Sequence, residues 1–216
     1  MRLISVLVQS IMSRFVLFVL FVLLLSASSC TVALPEFQTA ASTPIGQQKL
    51  AVGAFSGRGL NASTGGVAAY NRGLTDQLDL VSTIAVSRLN VEQDNIRIAT
   101  LLGPKWSSAD QKWAFSAPVG FEYSETFNDI DAGYTFLLTP TLYKSWNFKN
   151  PNITYTFFAR SEAAKNFRGR WFSLIGGYGQ RYETEHLTHF ISVSGSTNGP
   201  FYGVYFGYGI SIKPLR

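Results

Sequence analysis

The stretch FYGVYFGYGISIK, residues 201–213, alternates strictly between two kinds of side chain. One set is wholly apolar or aromatic and consists of Tyr202, Val204, Phe206, Tyr208, Ile210 and Ile212. The other set is mostly small or polar and consists of Phe201, Gly203, Tyr205, Gly207, Gly209, Ser211 and Lys213. Successive side chains of a β-strand point to opposite faces, so this two-residue period predicts a strand with one apolar face and one polar face.

The same alternation returns along most of the chain. It is clear in residues 113–124 and 130–143, and no stretch after residue 48 shows an apolar period of 3.6 residues. About ten such segments lie between short polar or Gly-rich turns: residues 49–57, 65–73, 78–89, 95–103, 113–124, 130–146, 153–163, 170–182, 186–193 and 201–213. Pro118 and Pro140 fall inside two of them and remove a ladder donor, so we expect either β-bulges there or strand boundaries that differ from these.

Composition separates a membrane barrel from a soluble β-sandwich, which shows the same alternation. Charged residues make up 14% of the chain and apolar residues 46%, whereas soluble domains carry about 25% charged residues. Glycines recur on the polar face, where a narrow lumen leaves little room. We therefore predict an all-β fold in which residues 49–216 form an antiparallel up-and-down transmembrane β-barrel of about ten strands, with eight or twelve as the other even counts. A soluble lipocalin-like barrel would have the reverse arrangement, with apolar residues inside.

A short turn motif supports the same fold. Residues 73–80 read GLTDQLDL, in which Thr75 and Asp76 can hydrogen-bond nearby backbone groups and close a tight turn. This motif resembles the periplasmic hairpin turn of small Gram-negative outer-membrane β-barrel proteins. The resemblance implies a location in the cell outer membrane.

The N-terminus has the layout of an export signal. Arg2 and Arg14 precede the wholly apolar residues 15–25, and a helix of that length would cover only about 16 Å of a hydrocarbon core roughly 30 Å thick. Small residues then lead to Cys30, the only cysteine. This run resembles the lipobox of bacterial lipoproteins, which implies cleavage before Cys30 and a lipid, such as palmitate, attached there. We expect residues 1–29 to be the signal peptide; ordinary signal-peptidase cleavage or an uncleaved anchor would also export the chain.

Residues 30–48 contain two prolines and few periodic apolar residues, so we predict a flexible lipidated tether. An even number of strands would return both termini to the periplasmic side. The segment count also places Trp106, Trp113 and Trp146 at a single rim, where they would form an aromatic girdle.

Sequence motifs of known chemistry are sparse. Basic residues are scattered despite a net charge of +5, so we do not expect a nucleic-acid partner. His186 and His189 are three residues apart on a predicted strand, which points them to opposite faces and disfavours a metal site. We therefore predict no enzyme activity, no cofactor and no metal; membrane lipid is the expected partner, and protein partners stay open.

Six charged residues fall on the polar face of the predicted strands, which we expect to line the lumen. They are Asp79, Arg97, Glu122, Asp131, Arg160 and Lys213. Charges in a narrow barrel must be paired to be tolerated, so we expect opposite charges to pair across the lumen and plug it. The predicted function is a structural or interaction element with a plugged lumen. A narrow pore for small solutes is the alternative, and a lipid-modifying enzyme is the second alternative.

Overall fold

Twelve antiparallel β-strands form the described part of the chain in the computed structural model. The structure describes residues 36–58, 63–89, 96–125, 133–147, 150–166, 169–198 and 201–212. The strands are β1 (Gln48–Arg58), β2 (Ser63–Gly73), β3 (Leu78–Leu89), β4 (Ile96–Ser107), β5 (Trp113–Ser116), β6 (Val119–Glu125), β7 (Gly133–Leu138), β8 (Thr141–Asn147), β9 (Ile153–Asn166), β10 (Gly169–Glu183), β11 (Leu187–Asn198) and β12 (Phe201–Ile212).

The sheet closes on itself into a barrel. Strands β1 to β4 and β9 to β12 pair in chain order, and β12 returns to pair with β1, so the described strands leave no free edge. The short strands β5 and β6 lie end to end and act as one crossing, as do β7 and β8. The twelve strands therefore make ten crossings, which confirms the predicted closed antiparallel barrel of about ten strands.

Two prolines cause the breaks between these short strands. β5 and β6 pair with β4 in one unbroken register, from Lys105 opposite Ser116 to Leu102 opposite Val119. No extra residue is inserted at Pro118 or at Pro140, so the predicted bulges were wrong. Proline removes only its own donor, and the Pro118 carbonyl still accepts a hydrogen bond of 2.9 Å from the backbone of Thr139.

The two faces of the wall follow the predicted alternation. In β12, Val204, Phe206 and Tyr208 point outward and are about half exposed, while Tyr205 and Ser211 are buried inside. The same holds in β5 to β8, where the outward set is Trp113, Phe115, Val119, Phe121, Tyr134, Phe136, Leu138 and Leu142. Within the described ranges, no helix has the length and apolar content needed to cross a bilayer.

One end of the barrel carries the short turns that the structure describes, and we call it the turn rim. β1 begins there and β12 ends there, since Ile212 pairs with Leu187 at the start of β11. The turn between β2 and β3 closes as expected, because the Thr75 hydroxyl accepts hydrogen bonds from the backbone of Gln77 and Leu78 at 3.2 and 3.0 Å.

Candidate functional site

The lumen of the barrel holds a piece of the same chain. Residues 36–40 and Thr43 are buried inside it, and we call residues 36–47 the plug segment. The prediction of a flexible tether is wrong for this part of residues 30–48. The segment is polar because the lumen that binds it is polar. Hydrogen bonds, one ion pair and one aromatic contact hold it there.

The deep end of the plug segment is an acidic anchor. Glu36 forms a buried ion pair with Arg160, which lies midway along β9. The Glu36 carboxylate also accepts a hydrogen bond of 3.2 Å from the hydroxyl of Tyr143. Arg160 in turn donates to the hydroxyl of Thr141 at 3.3 Å. The carboxylate and guanidinium therefore neutralise each other in the middle of the barrel, where an unpaired charge would be costly.

The middle of the plug segment binds a buried lysine. Lys105 of β4 donates hydrogen bonds to the carbonyl oxygens of Thr39 and Ala41, at 3.3 and 2.9 Å. Its ammonium group also pairs with Asp79 of β3 at 2.9 Å, and both side chains are at most 1% exposed. On the other side, the backbone N–H of Ala40 donates to the hydroxyl of Ser145 at 2.9 Å.

The turn-rim end of the plug segment joins the wall through its backbone. The N–H of Thr43 donates to both carboxylate oxygens of Asp79, at 3.0 and 3.1 Å. The N–H of Gly46 donates to the carbonyl of Gly73 at 3.1 Å. Asp79 thus binds Lys105 and the plug segment together, so the wall and the plug share one polar network.

A glycine slot receives the single aromatic side chain of the plug segment. Gly53 of β1 and Gly209 of β12 are register partners. A Cβ atom added at Gly209 would lie 2.7 Å from the ring of Phe37, and one added at Gly53 would also lie 2.7 Å from it. Phe37 packs against Phe190 with 5.7 Å between ring centroids. The wall therefore has no side chains where this ring sits.

The predicted lumen charges pair in a different way from the one expected. Asp79 and Arg160 line the lumen, and Arg97 and Glu122 approach each other at 3.7 Å. Asp79 with Lys105 and Arg97 with Glu122 are pairs on adjacent strands, because inward side chains of neighbouring strands are closer together than opposite walls are. Pairing across the lumen is thus wrong for these two pairs. Asp131, Lys213 and Cys30 lie outside the described residues.

Two residues of this network were absent from the predicted set. The predicted strand ends at residue 103. Lys105 lies two residues further along β4 and points inward like Gly103, so a correct strand boundary would have included it. Glu36 lies outside every strand and had no periodic signal. Among the described residues, no three His, Cys, Asp or Glu side chains come together as a metal site.

The three predicted girdle tryptophans lie close to the turn rim. Trp106 and Trp113 are exposed on the outer face, and Trp106 stacks on Phe115 at 6.2 Å. Trp146 stacks on Phe157 at 5.4 Å. Lys144 lies 4.6 Å from the centre of the Trp113 ring. Their role at a membrane interface stays a prediction.

Comparisons with known proteins give structural neighbours only. No family model and no curated protein matches the chain. It is similar to a bacterial polysaccharide outer membrane secretin, with 16% identity and a TM-score of 0.45 over 71% of this chain, and it spans 57% of that chain. It is also similar to the translocator domain of autotransporter NalP from Neisseria meningitidis (9% identity, TM-score 0.47, 79% of this chain and 89% of that chain) and to KdgM porin (9%, 0.43, 76% and 99%). These TM-scores are below 0.5, so the fold assignment rests on the chain's own strand registers.

Proposed function

We propose that this protein is an outer-membrane β-barrel that is closed by its own plug segment and serves as a structural or interaction element. The carrying observation is the plug segment itself, which is bound at its deep end, its middle and its turn-rim end to the lumen wall.

The distribution of side chains supports a bilayer location. Large apolar side chains are exposed around the outer face on nearly every strand, while serine, threonine and paired charges line the interior. Soluble monomers rarely expose contiguous apolar patches beyond a few hundred Å². A closed barrel also satisfies its backbone hydrogen bonds internally, which the hydrocarbon region requires.

The lipid anchor and the orientation of the chain belong to the same proposal. We propose export by residues 1–29, cleavage before Cys30 and acylation there. Because barrels of this class place their short turns in the periplasm, the turn rim would face the periplasm. The described ends of β1 and β12 lie at that rim, which is consistent with periplasmic termini.

Planar-bilayer recording tests the closed lumen. Refolded full-length protein should show no steady unitary conductance, and a variant that lacks residues 36–43 should conduct. A heat-modifiability gel on both proteins serves as the control that each barrel has folded. Steady conductance of the full-length protein would contradict the proposal and favour the narrow-pore alternative.

A further inference from the structure

A cavity of about 970 Å³ lies beside the plug segment. It opens at the turn rim, and we call it the vestibule. One side is formed by the plug segment and the other by the inner faces of β1, β2 and β10 to β12. Its size falls at the upper end of the range of roughly 300–1,000 Å³ typical of small-molecule sites. The lumen is therefore closed at mid-depth but open to a solute from the turn rim.

Two cationic side chains line the vestibule with incomplete pairing. Lys49 is half-buried on the inner face of β1, and within the described ranges no hydrogen-bond or ion-pair partner contacts its ammonium group. Arg181 of β10 pairs with Glu183 at 3.0 Å and contacts the hydroxyl of Thr154 at 3.3 Å. The Nε atom of Arg181 is buried without a hydrogen-bond partner in the described part of the chain.

The rest of the vestibule combines an apolar surface with uncharged polar side chains. The rings of Phe37 and Phe190 and the side chain of Ala51 provide an apolar surface. Gln38 and Asn71 line the same cavity but use their amides on each other, at 2.7 and 2.5 Å. The positive groups and the apolar surface are therefore the features that select a charged, partly apolar solute, and the hydroxyls of Thr188 and Ser211 lie on the same lining.

Negative groups in the vestibule do not cancel this charge. Glu183 is already paired with Arg181. Glu185 is 88% exposed at the mouth of the cavity, beside His186, which is 78% exposed and lies 3.9 Å away. Glu183 and Asp79 act on Lys49 only at a distance, because their direct ion pairs in the described part of the chain are with Arg181 and Lys105. A partly desolvated cation with no counter-ion in direct contact favours binding of an anion.

We infer that the vestibule binds a small amphiphilic anion, whose carboxylate or phosphate contacts Lys49 and Arg181 and whose apolar part lies against Phe37 and Phe190. The acidic group accepts a charge-assisted hydrogen bond from the ammonium group of Lys49 and a second one from the Nε–H of Arg181. This inference rests on the docked plug segment of the proposed function, which forms one side of the vestibule, and goes beyond it by naming a ligand.

Titration calorimetry on the full chain in detergent tests the inference with three probes. Phenyl phosphate carries both the anion and a ring, inorganic phosphate carries only the anion, and benzyl alcohol carries only the ring. Phenyl phosphate should bind saturably with a Kd below about 1 mM, and each of the other two should bind at least about 10-fold more weakly. Absence of saturable binding, or equal binding of benzyl alcohol, would overturn the inference without any variant.

Variants then locate the site. Lys49→Gln should weaken phenyl phosphate binding by roughly 10- to 100-fold, the value of a charged hydrogen bond. Lys112→Gln makes the same change at an exposed turn lysine outside the vestibule and should leave binding unaltered. Arg181→Gln is the second variant should Lys49→Gln fail to fold. Unaltered binding in the folded variant would refute the site. Conductance and binding are measured on the same wild-type protein, so the two failures are distinguishable. A conducting protein contradicts the closed lumen, whereas a non-conducting protein that does not bind phenyl phosphate contradicts this inference alone.

Discussion

Replacing Phe37 by alanine removes the ring that the plug segment inserts between Gly53 and Gly209. The ring is 5% exposed and packs on Phe190, and truncation of a buried phenylalanine costs about 3–5 kcal/mol. Because the ring belongs to the plug segment and not to the wall, most of this loss should fall on plug docking and little on barrel closure. A loss of about 3 kcal/mol raises the ratio of released to docked plug roughly 100-fold.

The opposite perturbation is available on the wall. Gly209→Leu places a side chain where the Phe37 ring lies, since the three atoms nearest to a Cβ added at Gly209 all belong to that ring. Overpacking of this kind costs about 1–3 kcal/mol. In the double variant the leucine fills space that the alanine leaves, so the two effects should be less than additive by at least about 0.5 kcal/mol.

The assay is the frequency of channel openings in a planar bilayer. Phe37→Ala and Gly209→Leu should each produce transient openings that wild type lacks, and the double variant should open less often than the product of the single effects. Phe121→Ala is the matched control, because its ring is 57% exposed on the outer face. Openings as rare in Phe37→Ala as in wild type would refute the idea that the glycine slot holds the plug.

Further predictions concern the buried pair, the outer face and the lipid. Lys105→Met leaves Asp79 without a cation and should lower the free energy of unfolding in urea by about 3–5 kcal/mol, while Lys105→Met with Asp79→Leu should recover most of it. Phe206→Arg, on the outer face in the middle of β12, should cost up to roughly 2–4 kcal/mol, whereas Ser211→Thr on the inner face should be better tolerated; equal unfolding midpoints would refute the face assignment. Metabolic labelling with a fatty-acid analogue should mark the protein and be lost in Cys30→Ala, and a mark that persists would end the lipidation proposal.

The barrel wall could be predicted from the sequence because each strand repeats one simple rule. Apolar and small or polar residues alternate with a period of two, so the outward position of Phe206 and the inward position of Tyr205 follow from their neighbours alone. Ten crossings were found for the same reason. The bulges at the two prolines were predicted incorrectly. A proline in a strand shows that one ladder donor is missing, but the sequence does not show whether an extra residue is also inserted there.

The plug segment could not be predicted, because its binding depends on groups far apart in the chain. Glu36 meets Arg160 and Tyr143, which are more than a hundred residues away. Thr39 and Ala41 bind Lys105 through backbone carbonyls, and a backbone contact leaves no requirement on the side chain. A short polar segment with prolines therefore looks the same whether it is a tether in solvent or a ligand of its own lumen.

The inner glycines have a different physical reason from the one the sequence suggested. A narrow lumen was expected to demand small side chains, yet an eight-stranded barrel is already wide enough for side chains to fill it, and ten strands enclose more space. In the structure, a Cβ at Gly57 would collide with the ring of Tyr205, and one at Gly177 with the ring of Phe158. Gly209 accommodates Phe37 in the same way. Gly57, Gly177 and Gly209 are thus sockets for inward aromatic rings, two from the wall and one from the plug, whereas a Cβ at Gly65 or Gly120 would meet the backbone of an adjacent strand. The space inside ten strands admits a chain segment where a narrower barrel would hold only side chains.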